Sequence, residues 1–140
     1  MILPDVNVLI GAFRGDSVHH SVCKPFLEAS FGSAKPFGLS LLTVAALIRI
    51  TTNPRFHVQA STTAEGLAFA DAVLAQPSCI VVEPGPGHWR IFADLLQRTN
   101  ARAKLVSDAW YAALAIEHGC EWVTLDKDFA KFPGLKWRHP

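Results

Sequence analysis

The sequence predicts an α/β fold, with a central, mainly parallel sheet and helices on both faces. Two observations carry this. Short apolar runs of strand length alternate with longer segments of helical periodicity, the pattern left by strand–helix–strand crossovers. Proline, glycine and asparagine punctuate the boundaries, as in Asn53-Pro54 and Glu83-Pro84-Gly85-Pro86-Gly87. Composition agrees: 50% of residues are hydrophobic and 18% charged, as a chain with a packed core requires. With 140 residues, the chain is long enough for one such domain and too short for two comfortable ones, so residues 1–140 read as a single domain.

The elements follow in order. Residues 1–4 read as a strand that Pro4 ends, because proline cannot donate to a sheet ladder. Residues 6–14 read as a helix, Gly15-Asp16-Ser17 as a turn, and 19–32 as a second helix. Pro36-Phe37-Gly38-Leu39 forms a short strand, and 41–51 a helix that stops ahead of Asn53-Pro54. Thr62 or Thr63 caps a helix of about 64–75 that Pro77 ends. Ser78-Cys79-Ile80-Val81-Val82 reads as a buried strand. Residues 88–99 give an amphipathic helix with Trp89, Phe92, Leu95 and Leu96 inward. Residues 108–118 give a mostly apolar helix that Gly119 ends. A strand at 121–125, a short helix at 127–131 and a strand at 135–138 complete the chain.

Several function classes are excluded. The net charge is only +1, so no strong overall field draws nucleic acid, and RNA would have to find a local patch. Cys23, Cys79 and Cys120 are odd in number and lack CxxC spacing, which argues against a disulfide framework and suits a reducing cytoplasm. The start lacks the cationic region of a signal peptide, and no apolar run reaches membrane-spanning length. The six histidines form no ligand spacing. No Ser/His/Asp or Cys/His arrangement is evident.

Three aspartates stand out. Asp5 follows Met1-Ile2-Leu3-Pro4, Asp108 follows Leu105-Val106-Ser107, and Asp126 follows Trp122-Val123-Thr124-Leu125; each opens a helix-like segment. In an open α/β sheet, ligands bind in the crevice at the carboxyl ends of the strands. Two carboxylates about 5 Å apart repel by roughly 3 kcal/mol at an effective dielectric near 20. Three such pairs total roughly 10 kcal/mol, comparable to the stability of a whole domain. Either some carboxyls hold protons or a cation sits among them, and oxygen-only ligands suit a hard ion such as Mg²⁺, Mn²⁺ or Ca²⁺. Singly, each aspartate also reads as a helix cap or first-turn acid, with Ser107 capping the helix that Asp108 begins. Asn7 could orient Asp5 or sit idle in the first turn; Thr124 and Ser107 could support the carboxylates or serve only packing and capping. Arg98, Arg102 and Lys104 appear between Asp94 and Asp108 with no acid among them, so they could place cations beside the crevice.

Leu3-Pro4-Asp5-Val6-Asn7-Val8-Leu9-Ile10 resembles the opening of PIN-domain ribonucleases, especially the VapC toxins of toxin–antitoxin pairs. Ser107-Asp108-Ala109-Trp110-Tyr111-Ala112-Ala113-Leu114-Ala115 resembles their second acidic motif, and Thr124-Leu125-Asp126-Lys127-Asp128-Phe129 their third. The resemblance runs from end to end. It implies a PIN-like three-layer sandwich and a metal-dependent endoribonuclease in which Asp5, Asp108 and Asp126 hold Mg²⁺ or Mn²⁺ and serve catalysis. It also implies a VapB-like antitoxin partner, an RNA substrate and a homodimer.

One position departs from the family. A glutamate is expected on the helix after the second strand, ahead of an aliphatic residue, any residue and an arginine. Here Arg49 is present and Ala46 stands where the acid belongs. Asp128 or Asp16 could substitute. The alanine also keeps open a second reading, a PIN-like binding module with weakened turnover.

Overall fold

The computed structural model describes residues 1–140. Its five strands are β1 (Ile2–Pro4), β2 (Phe37–Leu39), β3 (Cys79–Val81), β4 (Glu121–Val123) and β5 (Trp137–Arg138). All neighbouring pairs are parallel, in the order β3-β2-β1-β4-β5. The helices are α1 (Val6–Phe13), α2 (His20–Phe31), α3 (Leu41–Thr51), α4 (Thr63–Leu74), α5 (His88–Thr99) and α6 (Lys104–Glu117), with a 3₁₀ helix over Lys127–Lys131.

Strand alternation divides the core into two layers. Leu3 and Trp122 face Phe92, Leu95, Ala109, Ala112 and Ala113 of α5 and α6. Phe37, Leu39 and Val123 face Val8, Leu9, Leu27, Leu47 and Val73 on the opposite side. Neighbours Trp122 and Val123 thus point to opposite faces, as the pleat requires. The alanines of α6 keep its inner face thin, so the helix lies close to the sheet. Thr62 caps α4 in a reciprocal box with Glu65, as its sequence predicts.

Three expectations need correction. The strand over 78–82 is not buried: β3 is an edge strand, and Ile80 and Val81 are each 46% exposed. Only Val82, just beyond it, is buried. A short apolar run marks a strand but says nothing about whether its second flank is covered. Trp89 is 68% exposed and does not point inward; its ring lies 5.7 Å from that of Phe92, on the outer lip of α5. The last long helix begins at Lys104, four residues ahead of Asp108, so Leu105-Val106-Ser107 is helix.

The chain runs outward from β1 to β2 and β3, then crosses back to β4 and β5. The switch point therefore lies between β1 and β4, and the crevice opens at their carboxyl ends. No helix is long and apolar enough to cross a membrane.

Candidate active site

Asp5 stands one residue beyond β1, and its N–H donates to the Val123 carbonyl at 2.8 Å, continuing the β1–β4 ladder. Its Oδ1 accepts from the Val6 N–H at 2.6 Å, so Asp5 caps α1. Its Oδ2 accepts from the Thr124 hydroxyl at 2.6 Å and from the Asn7 amide at 2.8 Å. The residue is 6% exposed. Burial pushes its carboxyl up to about 6; the bonds from Thr124 and Val6 oppose the rise, and the charges of Asp108 and Asp126 add to it.

Thr124 is the hub. While donating to Asp5, its hydroxyl oxygen accepts from the Asp126 N–H at 3.0 Å and from the Asn7 amide at 3.0 Å. Asn7 in turn accepts from the Leu125 N–H at 3.1 Å. One network therefore fixes Asp5 to the segment that carries Asp126. Asn7 and Thr124 both orient Asp5, which resolves their two sequence readings in favour of support.

Asp126 accepts from the Asp128 N–H at 2.9 Å and so caps the 3₁₀ helix. Its Oδ2 receives the Lys104 ammonium at 2.5 Å. That bond, followed by the one from Asp128, holds its carboxyl below the usual range.

Asp108 arrives by another route. It is the fifth residue of α6, neither a strand-end residue nor a first-turn acid, and Ser107 lies inside the helix and caps nothing. Asp108 is 9% exposed, and its Oδ2 is buried without a hydrogen bond. The nearest cation is Lys104, 3.8 Å away. Burial pushes the Asp108 carboxyl up, Lys104 pulls it down, and the charges of Asp126 and Asp128 push it further up. The three acids do not close into a compact ligand set in this structure.

The two candidate substitutes for the missing acid differ. Asp128 lies close enough for its charge to act on Asp108, while its own carboxylate meets Lys131 at 2.6 Å on the rim. Asp16 is taken by Arg14, whose guanidinium grips it at 2.8 and 2.6 Å and also binds Ser61 and the Gln59 carbonyl. No residue of α3, Leu41-Leu42-Thr43-Val44-Ala45-Ala46-Leu47-Ile48-Arg49-Ile50-Thr51, is acidic. The loss of the carboxylate thus does not depend on which turn of α3 is compared.

Two residues go unnoticed in a motif search for acids. Tyr111, one turn after Asp108, has its phenol pushed up by burial and then by the charges of Asp5 and Asp108, while Arg49 acts in the opposite sense. Thr43 of α3 is 1% exposed and faces Tyr111, yet its hydroxyl has no partner at bonding distance. Beside them a cleft of about 290 Å³ is lined by Leu42, Phe92, Val106, Ser107, Trp110 and Tyr111. Leu41, Leu42 and Trp89 are exposed nearby.

The donor chemistry fits a hard divalent cation. Every candidate ligand atom is a carboxylate oxygen, two of the three carboxyls are pushed up, and one buried oxygen lacks any hydrogen bond.

Fold and crevice together define a doubly wound α/β protein with an acidic switch-point site. Residues 2–135 match the PIN domain family. The chain is 38% identical over 140 residues to Ribonuclease VapC25 of Mycobacterium tuberculosis, covering 100% of this chain and 99% of that relative. It is 37% identical over 140 residues to Ribonuclease VapC31 of the same organism, with the same coverage of 100% and 99%. Among solved structures it resembles VapBC2 from Rickettsia felis bound to a promoter DNA fragment, with a TM-score of 0.73 at 15% identity over 99% of this chain and 98% of that one. It also resembles VapC20 of Mycobacterium tuberculosis, described as a sarcin-ricin loop cleaving toxin, with a TM-score of 0.70 at 17% identity over 97% and 99%. The chain belongs to the PIN domain family and, within it, to the VapC ribonucleases.

Proposed function

We propose that this chain is a metal-dependent endoribonuclease of the cytoplasm that hydrolyses RNA phosphodiester bonds and is restrained by a small antitoxin. The observation that supports it best is the buried Asp108 Oδ2, which has no hydrogen bond and lies close enough to Asp5 and Asp126 for their charges to act on one another. Asp5, Asp108 and Asp126 would hold Mg²⁺ or Mn²⁺. When bound, such an ion supplies Lewis acidity and charge neutralisation for in-line attack of water at phosphorus. The chain's own residues do the positioning. Thr124 and Asn7 fix the Asp5 carboxylate, and rigid ligands of this kind bind metal more tightly than free ones. Arg49, whose charge acts on Tyr111, and Lys104, beside Asp108 and Asp126, are cations at the crevice, and they would bind an RNA phosphate without reading sequence. No residue of α3 is acidic, so that helix supplies no fourth carboxylate. Three carboxylates with one divalent ion sum to −1, so one ion per chain is favoured, with Asp128 as the nearest acid for a second.

An antitoxin segment would lie in the apolar cleft lined by Leu42, Trp110 and Tyr111, with a basic side chain reaching the carboxylates. Two structural neighbours are VapBC structures, from Rickettsia felis and from nontypeable Haemophilus influenzae, which supports a VapB-like partner; the homodimer belongs to the same proposal.

The test is RNA cleavage by chain purified free of partners, with Mg²⁺, with Mn²⁺ and with EDTA. Cleavage should need the ion, and Asp5→Asn should lower the rate at least a hundredfold while melting cooperatively. Cleavage of equal rate in EDTA, or by Asp5→Asn, would sink the reading. RNA retained without cleavage under every metal would favour the binding module instead, which the acid-free α3 makes the second reading.

A further inference from the structure

We propose that Lys104 is an intramolecular competitor of the metal: its ammonium holds Asp108 and Asp126 in the metal-free protein and must leave before a divalent cation is held. This rests on the metal reading above.

Lys104 Nζ lies 2.5 Å from Asp126 Oδ2 and 3.8 Å from Asp108 Oδ2. These are the oxygens that metal chemistry needs, and for Asp108 Oδ2 the ammonium is the one charge partner and no hydrogen bond competes with it. An ammonium and a divalent ion repel at contact distance, so the two cannot share these oxygens. Lys131, the other cation nearby, is engaged with Asp128 at 2.6 Å.

Lys104 is also placed to leave. Its side chain is 68% exposed, so rotation about its stem carries the ammonium into solvent without disturbing the core. Lys104 is the first residue of α6, and Ala103 before it is held at φ 49 and ψ −123, a conformation that non-glycine residues rarely adopt. Asn100, at φ 49, closes α5 three residues earlier. The link delivers Lys104 one turn ahead of Asp108, on the same face. Once displaced, the ammonium stays tethered beside the crevice, where a substrate phosphate arrives. The ion and the RNA would then favour the same released state of one side chain.

Calorimetric titration with Mn²⁺ tests this on wild type, Lys104→Met, which keeps the stem without the charge, and Lys104→Arg, which keeps a cation. Lys104→Met should bind Mn²⁺ about tenfold more tightly than wild type. Lys104→Arg should bind no more tightly than wild type. Equal or weaker binding by Lys104→Met, with an unchanged melting curve, overturns the proposal. A second measurement needs no variant: acylation of Lys104 in wild type, read by mass spectrometry, should rise severalfold when Mn²⁺ is added. Labelling that stays constant as the ion binds also overturns it. The two readings separate cleanly. If wild type binds, Asp5→Asn does not, and Lys104→Met matches wild type, only the competitor falls. If neither wild type nor Lys104→Met binds Mn²⁺, the metal reading falls and takes the competitor with it.

Discussion

A carboxylate that is 94% buried couples the stability of this molecule to pH. Asp5 is pushed from 3.8 to about 6, mainly by burial. Its folded form therefore keeps a proton that the unfolded chain has already lost. The stability this confers is fully present below about pH 4 and is lost as pH rises through about 6. Asp108, also pushed up, acts in the same sense, whereas Asp126, pulled down by Lys104, contributes stability that is lost as pH falls. Between pH 4 and 6 the slope from Asp5 alone approaches about 1.4 kcal/mol per pH unit. Melting of metal-free protein across pH 4.5–8 should thus decline toward neutral pH, and Asp5→Asn should flatten the decline. A wild-type profile that rises steadily to pH 8 would show that Asp5 ionises as it would in water. Asparagine does not restore full stability, because its amide would confront the Asn7 amide that now donates to Asp5. Asp5 and Asp126 stand out in the sequence because each follows an apolar run. Thr124 does not: a threonine after a strand is common, and only the pairing of β1 with β4 brings it onto Asp5.

Among the elements, α6 shows where local signals stop. It starts at Lys104, yet its N-cap, Ala103, has no side chain able to cap, and Leu105-Val106 reads as strand as readily as helix. Tertiary packing against α5 decides the matter, and that information is not local. The same limit explains β3, whose composition marks a strand while the sheet order alone makes it an edge. By contrast α4 carries its own capping box, Thr62 with Glu65, so its local sequence marks where it starts. The start of α6 also stores strain. An alanine at φ 49 costs on the order of 1–3 kcal/mol, which glycine would avoid, against about 0.5–1 kcal/mol of extra unfolded-state entropy. Ala103→Gly should therefore stabilise the fold by about 1 kcal/mol, raising the melting temperature by roughly 3 °C. A clear fall in melting temperature would mean that the alanine methyl contributes packing that outweighs the strain.

At the scale of the whole molecule, two surfaces meet at one place. The acidic crevice opens beside the apolar cleft of Leu42, Trp110 and Tyr111, so one peptide lying in the cleft can also reach the carboxylates. Its affinity would come from burying apolar groups that are now partly exposed, at about 25 cal/mol per Å², and inhibition from placing a cation among Asp5, Asp108 and Asp126. The net charge of +1 gives no long-range steering, so the proposed restraint would depend on this shaped contact rather than on bulk attraction. Expression of this chain alone should slow growth, and co-expression with the small protein encoded beside it should restore growth. Three variants separate the contributions. Asp5→Asn should be harmless alone yet still co-purify with the partner, since the apolar cleft is untouched. Trp110→Ala should weaken co-purification by removing a wall of the cleft, and its ring packs against His88 at 4.2 Å and Phe92 at 5.3 Å, so its fold must be checked by melting. Leu42→Asp provides the independent arm, because Leu42 is 52% exposed and its change leaves the core intact. If Leu42→Asp melts like wild type and is still fully restrained by the partner, the cleft is not the antitoxin seat, and the partner must act on another face.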